Sequence, residues 1–138
     1  MADTGSFDAD LVVVGAGPGG YVASIRAAQL GANVVCIERD QKEWGGVCLN
    51  WGCIPTKTMI ASAERLIAAR EAARLGVIVG EVSFDFAKIM ARKDKVVQTL
   101  RGGVQALLKS NKVKQVIGTA SLEAPDRVRV TGADGTTQ

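Results

Sequence analysis

Apolar runs and one helical pattern organise the N-terminal part of the chain. Leu11–Val14 is an unbroken apolar run, which is typical of a strand buried on both faces of a parallel sheet. Tyr21–Leu30 then has small and apolar residues at helical spacing, and Gly31 stands where a helix C-cap is expected. A second apolar run follows at Asn33–Ile37. Because the connection has room for a single crossover helix, residues 10–38 are predicted to form a right-handed βαβ unit.

Two longer helices are predicted further along the chain. Pro55 suits the first turn of one helix, whose apolar residues recur at helical spacing up to a terminator at Gly76. The other is predicted to begin at Asp85 as its N-cap and to end near Lys109. Gly102-Gly103 interrupts its pattern, and since each glycine costs roughly 1 kcal/mol relative to alanine, the pair predicts a kink or a close helix crossing.

The remaining segments are predicted to form an ordered loop and a small β element. Residues 39–52 are polar and contain several glycines, which indicates the loop. Strands are predicted over 113–122 and 128–131, with a hairpin turn at 133–135. Because the chain stops three residues after that turn, we expect the sequence to be part of a longer one.

Composition and charge exclude several classes of function. The 138 residues are 47% hydrophobic and 22% charged, with a net charge of +3, which fits one soluble domain. There is no histidine, so Ser/His and Cys/His dyads and His-ligated metal sites are excluded. Basic residues are scattered or paired with acids, as in Glu64-Arg65, which argues against nucleic-acid binding. No apolar run approaches the roughly 20 residues of a membrane span.

The N-terminal segment and the cysteine content bear on the compartment. Asp3, Asp8 and Asp10 are acidic, and no basic residue accompanies them, which is the wrong charge for a secretory signal or an organellar presequence. The three cysteines then favour a reducing compartment, where a disulfide is more often catalytic than structural. We therefore expect a cytoplasmic protein.

A glycine-rich turn lies inside the predicted βαβ unit. The spacing Gly15-x-Gly17-x-x-Gly20 between a strand and a helix is typical of a dinucleotide-binding turn, which places a pyrophosphate at the helix N-terminus. Glu38 ends the second strand, where an acidic residue accepts hydrogen bonds from a ribose hydroxyl and disfavours a 2′-phosphate. The alternative is a purely structural glycine turn with a glutamate on the surface.

The segment around Cys48 and Cys53 carries the second candidate chemistry. Four residues separate the pair, unlike the two of thioredoxin-type or zinc-ribbon motifs, and with only Cys36 left over no metal site is predicted. Five residues of an ideal helix span about 7.5 Å, whereas a disulfide requires Cα atoms within about 7 Å. An irregular turn is therefore predicted, and Asn50 and Gly52 are residue types that tolerate one.

The placement of Cys53 favours reactivity. It is expected near a helix N-terminus, where the dipole favours a thiolate, and Lys57 would add positive charge. The residues alone leave open that Cys48 and Cys53 are two inert buried thiols. Cys36, inside the second apolar run, is predicted to be such a buried cysteine.

The glycine turn together with the segment GVCLNWGCIPTK at residues 46–57 resembles the FAD-dependent pyridine nucleotide–disulfide oxidoreductases, over essentially the whole chain. The resemblance implies an α/β fold: a Rossmann-like FAD-binding domain with a parallel sheet, helices and a small antiparallel β element, incomplete at its C-terminus. Residues 1–138 would be its N-terminal part, with the NAD and dimerisation domains absent. Leu49, Ile54 and Thr56 are more similar to the branch that oxidises dihydrolipoamide than to glutathione, trypanothione or mercuric reductases.

The resemblance also implies roles for individual residues. Cys48 would exchange with the substrate, and Cys53 would be the thiolate beside the flavin. Lys57 would stabilise the reduced flavin by its charge, and Glu38 would hold the adenosine ribose. Further contacts with FAD are implied at Gly15, Gly17, Gly20, Arg39, Gly46, Val47 and Ala120.

The implied activity is oxidation of dihydrolipoamide, carried on a lipoyl domain, by a Cys48–Cys53 disulfide. FAD would be the bound cofactor, and NAD the acceptor, held by a domain that is not present here. The implied partners are a second copy, in a homodimer, and a 2-oxo acid dehydrogenase complex. Two alternatives are a related FAD-dependent disulfide or mercuric reductase and a non-catalytic FAD-binding fragment. The isolated chain is expected to be inactive, because it lacks a histidine base and an NAD site.

Overall fold

The apolar runs near the N-terminal end do form a βαβ unit. The computed structural model describes residues 8–138. Strand β1 (Leu11–Val14), helix α1 (Pro18–Gln29) and strand β2 (Val34–Glu38) follow one another, and the two strands pair in parallel. Strand β3 (Lys114–Ile117) adds a third parallel strand on the other side of β2, which gives the order β1-β2-β3.

The loop predicted over residues 39–52 contains a short helix. Helix α2 (Gly46–Asn50) is followed by a break and then by helix α3 (Cys53–Glu71), which continues into a 3-10 turn at Ala72–Leu75. The prediction of a loop is therefore wrong for its second half. A five-residue helix has too few turns to give a periodic pattern, so nothing in the local sequence distinguished it from a loop.

Helix α4 (Phe86–Ser110) begins as predicted, because the side chain of Asp85 accepts a hydrogen bond from the backbone N–H of Lys88 at 3.0 Å. Of the two predictions for Gly102-Gly103, the close helix crossing is wrong within residues 8–138, and the kink stays a prediction. The helix is continuous across the pair, and a Cβ on either glycine would meet no atom of the described residues within 4 Å. The apolar side of a 25-residue helix, which buries Val97 among others, outweighs the intrinsic cost of two glycines.

The last part of the chain forms a separate antiparallel pair. Strand β4 (Thr119–Ala124) pairs with strand β5 (Arg127–Thr131), and the predicted hairpin turn follows β5. The single strand predicted over 113–122 is wrong, since β3 and β4 belong to different sheets. The parallel pairing stops at Ile117, which is opposite the last residue of β2, and the chain then pairs with β5 instead.

Alternate residues of β2 contribute to two separate cores. Val34 and Cys36 pack among residues of α1 and α4 on one face of the parallel sheet. Val35 and Ile37 pack with residues of β3, β4 and β5 on the other face. The molecule therefore has three layers, which are helices, the parallel sheet and the small antiparallel sheet.

The strand β1 is less buried than its sequence predicted. Val14 is 62% exposed, and Leu11 and Val12 are exposed by 38% and 37%. The expectation of burial on both faces is wrong for this strand, because β1 is the edge of the sheet formed by the described residues. Every residue of β2, the central strand, is buried as predicted.

Within residues 8–138, no helix is both long and apolar enough to cross a membrane. The aspartate at position 3, on which part of the localisation argument rests, lies outside the described residues.

Candidate functional site

The glycine turn lies at the carboxyl end of β1, where it leads directly into α1. Gly15 donates its N–H to the carbonyl oxygen of Ile37 at 2.8 Å, which ties the turn to β2. A Cβ on Gly20 would overlap the Gly15 carbonyl oxygen, so only glycine lets α1 start this close to the strand. Gly17 is the N-cap of α1, and no side chain of the described residues caps this end. The helix N-terminus is therefore available for an anionic group.

Glu38 is held by the backbone on both sides. One carboxylate oxygen accepts a hydrogen bond from the N–H of Ala16 at 2.8 Å, and the other accepts from the N–H of Arg39 at 2.7 Å. The side chain is only 9% exposed, so it is not the surface glutamate of the structural alternative. A carboxylate offers about four acceptor positions, which leaves capacity for a ribose hydroxyl.

The cysteine segment packs directly against the glycine turn. Gly45 donates its N–H to the carbonyl oxygen of Ala16 at 2.9 Å. The next residue, Gly46, has φ +64°, and a Cβ on it would lie 2.6 Å from the Cα of Gly17. Two motifs that are separate in the sequence therefore share one backbone contact, which sequence reasoning did not predict.

Cys48 and Cys53 lie on two different helices. Cys48 is in the middle of α2, and Cys53 is the first residue of α3. The predicted irregular turn is confined to Trp51 and Gly52, since the flanking residues are helical. At this break the backbone of Gly52 packs against Cys48, so that a Cβ on Gly52 would lie 3.1 Å from the Cα of Cys48.

The two thiols interact with each other. Both are free thiols; Cys48 is half-buried and Cys53 is exposed, so the prediction that both are buried is wrong. A hydrogen bond between the thiols raises the pKa of Cys48, while the backbone N–H of Cys53 and the charge of Lys57 act in the opposite direction. Lys57 itself is exposed, one turn into α3. The pair therefore lies close enough for the two thiols to influence each other's protonation.

Cys36 has the environment predicted for it. It is completely buried in the core on the helical face of the sheet, and burial raises the pKa of its thiol. A hydrogen bond with Ser24 lowers that pKa by a smaller amount.

Asn50 and Arg101 form an interaction that sequence reasoning missed. The amide nitrogen of Asn50 donates to the carbonyl oxygens of Glu43, Trp44 and Gly46 at 3.2, 3.2 and 2.9 Å. Its amide oxygen accepts from Nε and Nη2 of Arg101 at 2.9 and 2.7 Å. Residue type alone assigned Asn50 only a conformational role. Its amide is instead buried and linked to a residue 51 positions away.

The other predicted cofactor-binding residues differ in exposure. Arg39 is exposed and forms an ion pair with Glu43, and Val47 is 69% exposed on α2. The chain returns to the end of β2 at Gly118, which donates its N–H to the carbonyl oxygen of Glu38 at 2.9 Å. Ala120 lies two residues further, on β4, and its side chain packs into the second core.

A large cavity lies elsewhere in the fold. It has a volume of about 620 Å³ and lies between β5 and the face of the parallel sheet that carries Val35 and Ile37. None of the predicted site residues lines it. Among the described residues, no group of three potential Cys, Asp or Glu metal ligands is present.

Three features together define a Rossmann-type domain with a dithiol centre. They are an uncapped helix N-terminus at a glycine turn, a buried acid at the end of the second strand and two neighbouring thiols. The sequence pattern of the family described as pyridine nucleotide-disulphide oxidoreductase matches residues 9–137. The chain belongs to this family.

Curated relatives of the chain include several dihydrolipoyl dehydrogenases. The protein of Geobacillus stearothermophilus is 46% identical over 129 residues, which cover 94% of this chain and 27% of the relative. That of Staphylococcus aureus is 48% identical over 123 residues, covering 89% and 26%. The mitochondrial protein of Bos taurus is 43% identical over 133 residues, covering 95% and 26%. The chain thus spans about a quarter of the length of these relatives.

Solved structures give the same fold. The Cu(II) complex of the HOCl-induced flavoprotein disulfide reductase RclA from Escherichia coli matches with a TM-score of 0.70 and 28% identity, covering 86% of this chain and 24% of that one. The Cu(II) complex of a cysteine-to-serine mutant of the same reductase matches with a TM-score of 0.74 and 26% identity, covering 92% of this chain and 25% of that one.

Proposed function

We propose that the full-length protein is an FAD-dependent dihydrolipoyl dehydrogenase that oxidises dihydrolipoamide to lipoamide with NAD as the acceptor. The observation that carries the proposal is the tight break that brings the start of α3, with Cys53, back against Cys48 of α2, beside the glycine turn. The similarity to dihydrolipoyl dehydrogenases over most of the chain supports this substrate over other disulfides.

The residues at the turn fit the adenosine diphosphate part of FAD. The uncapped N-terminus of α1 would bind the pyrophosphate, and the buried carboxylate of Glu38 keeps acceptor capacity for the ribose. FAD, when bound, supplies a carrier for an electron pair between the dithiol centre and NAD. The residues that would hold it are Gly15, Gly17, Gly20, Glu38, Arg39, Gly46, Val47, Lys57 and Ala120.

Exchange at the dithiol centre would give the two sulfurs different roles. In the oxidised protein, one thiolate of dihydrolipoamide attacks Sγ of Cys48, which forms a mixed disulfide, and the bond to Cys53 breaks with its electron pair left on that sulfur. The second thiolate of the substrate then attacks the first substrate sulfur, which is bonded to Sγ of Cys48. The bond between that sulfur and Cys48 breaks, and its electron pair stays on Cys48. The substrate becomes the cyclic disulfide: its two electrons pass to the Cys48–Cys53 pair, and its two thiol protons are released to solvent. Cys53, at the N-terminus of α3, faces the positive end of the helix dipole.

The proposal includes the partners that this activity requires. The substrate would be carried on a lipoyl domain, and the protein would act as a homodimer in the cytoplasm within a 2-oxo acid dehydrogenase complex. Residues 1–138 would form the N-terminal part of the FAD domain, with NAD bound by a domain outside them. The isolated chain would be inactive, because a histidine base and an NAD site are not part of it.

The test compares cysteine variants of the full-length gene product. Cys53→Ser is expected to abolish NAD-linked oxidation of dihydrolipoamide, since the dithiol centre is lost. Cys36→Ala, which removes a buried thiol outside the site, is expected to retain the activity. Full activity of the Cys53 variant would overturn the proposal. Activity of the unaltered protein with oxidised glutathione or Hg(II), and none with dihydrolipoamide, would assign the related reductases instead.

A further inference from the structure

A side chain from α4 reaches the segment that carries Cys48. Arg101 donates from Nε and Nη2 to the single amide oxygen of Asn50, at 2.9 and 2.7 Å. Asn50 is buried, at 8% exposure, on the same short helix as Cys48. Two donors of one guanidinium on one acceptor form a charge-assisted contact, which is stronger than a neutral hydrogen bond.

This contact and three carbonyl acceptors favour the same orientation of the Asn50 amide. Because its oxygen is engaged by Arg101, its nitrogen faces the carbonyl oxygens of Glu43, Trp44 and Gly46 and donates to them. A flipped amide would place its oxygen against three carbonyl oxygens and its nitrogen against the guanidinium. The arginine therefore reinforces the orientation in which the amide binds the segment preceding Cys48.

The orientation of α2 depends on such contacts. A helix of five residues gains little stability from its own hydrogen bonds, so tertiary interactions fix its position. The backbone contact of Gly46 with Gly17 holds its beginning, and the side chain of Asn50 ties its end to the carbonyl oxygens before α2 and to Arg101 of α4. Cys48 lies between these two points. A disulfide to Cys53 requires Cβ atoms about 3.5–4.5 Å apart, so a small shift of α2 changes how readily the bond forms.

We propose that Arg101 is a positioning residue for the dithiol centre. It holds the Asn50 amide, which in turn holds α2, and so keeps Cys48 in the position from which it pairs with Cys53. The inference rests on the proposed redox function of the two cysteines. Arg101 acts through Asn50. Removing Arg101 from a protein that already lacks the Asn50 amide is therefore expected to cause no further change in disulfide formation.

Arg92 provides a matched control on the same helix. It lies earlier on α4 and donates from Nη1 to the carbonyl oxygen of Thr58, on α3, at 3.1 Å. Arg92→Met therefore removes one partly buried arginine contact between helices and leaves Asn50 untouched. Arg101→Met removes the same kind of side chain together with its contact to α2.

The experiment measures the thiol–disulfide equilibrium of the full-length protein in glutathione buffers. Oxidised glutathione accepts two electrons and two protons from Cys48 and Cys53, so its own disulfide breaks, one protein disulfide forms and two glutathione thiols result. After alkylation of the remaining thiols, peptide mass spectrometry gives the fraction with the Cys48–Cys53 bond. Arg101→Met is expected to shift the equilibrium constant toward the dithiol by roughly tenfold. Arg92→Met is expected to leave it unchanged.

Three further variants make the measurement specific. Asn50→Ala and the double variant Asn50→Ala with Arg101→Met are expected to give the same equilibrium constant, because the arginine acts through the amide. Arg101→Lys keeps a charged donor and is expected to fall between the unaltered protein and Arg101→Met, and it serves as the test if the methionine variant does not fold.

The outcomes separate the redox function from the positioning role. An unaltered protein that forms no reversible Cys48–Cys53 disulfide overturns the proposed redox function. A normal disulfide in the unaltered protein, with the Arg101 variants shifted no more than Arg92→Met, overturns the positioning role alone.

Discussion

Gly17 and Gly46 lie against each other, so closely that a Cβ on Gly46 would be 2.6 Å from the Cα of Gly17. One is the N-cap of the helix that follows the glycine turn, and the other begins the helix that carries Cys48. The hydrogen bond from the N–H of Gly45 to the carbonyl oxygen of Ala16 supports the same contact. The candidate nucleotide turn and the dithiol centre are therefore one packed unit.

Gly46→Ala is expected to destabilise the protein by about 2 kcal/mol or more, because the new Cβ displaces the Gly17 backbone and alanine is strained at φ +64°. Urea unfolding measures the loss. Flavin content, from the absorption spectrum of the purified full-length protein, is expected to fall in parallel, since the turn moves. Stability equal to that of the unaltered protein would contradict the close contact.

Gly102→Ala is expected to have the opposite effect. The position is inside a continuous helix, and a Cβ there meets no atom of residues 8–138 within 4 Å. Alanine is the better helix former by about 1 kcal/mol, so the free energy of unfolding is expected to rise by an amount up to that value. This variant is also the control for Gly46→Ala, since both add one methyl group. A loss of stability would mean that another part of the protein approaches this side of α4.

Glu38→Gln is expected to cost about 1–3 kcal/mol of stability, because the two carboxylate oxygens each accept from a backbone N–H and glutamine has one oxygen. The amide nitrogen would face either Ala16 or Arg39 as a second donor. Glu43→Gln, which changes an ion pair with the exposed Arg39, is the control and is expected to cost less stability than Glu38→Gln. Equal urea midpoints for the two variants would contradict the prediction.

The reactivity of Cys48 is expected to depend on Cys53. The hydrogen bond between the thiols raises the pKa of Cys48, so at a given pH below that value less thiolate is present than for an ordinary cysteine. Cys53→Ala removes the largest cause of the raised pKa of Cys48, and the charge of Lys57, which lowers that pKa, remains. The midpoint of the pH profile for iodoacetamide alkylation of Cys48, followed by peptide mass spectrometry on the reduced protein, is therefore expected to move to lower pH. Cys36→Ala is expected to leave it in place, and an unchanged midpoint in the Cys53 variant would contradict the interaction.

Local signals in the sequence were sufficient for most of the elements. The Asp85 cap, the strand β2 and the glycine turn were predicted correctly, because each depends on residues that are neighbours along the chain. The errors arose where tertiary pairing decides. β1 is exposed because it is an edge strand, and the strand predicted over 113–122 divides because pairing with β2 ends at Ile117.

Taken by itself, the sequence determined which chemical groups are present: a glycine turn before a helix, an acid at the end of the second strand, two cysteines and no histidine. Residue type and local spacing are enough for that. Only the tertiary structure decided how those groups act together. The contact of Gly17 with Gly46 and the hold of Arg101 on Asn50 join segments that are distant along the chain, and packing of α2 and α4 against the sheet brings them within reach.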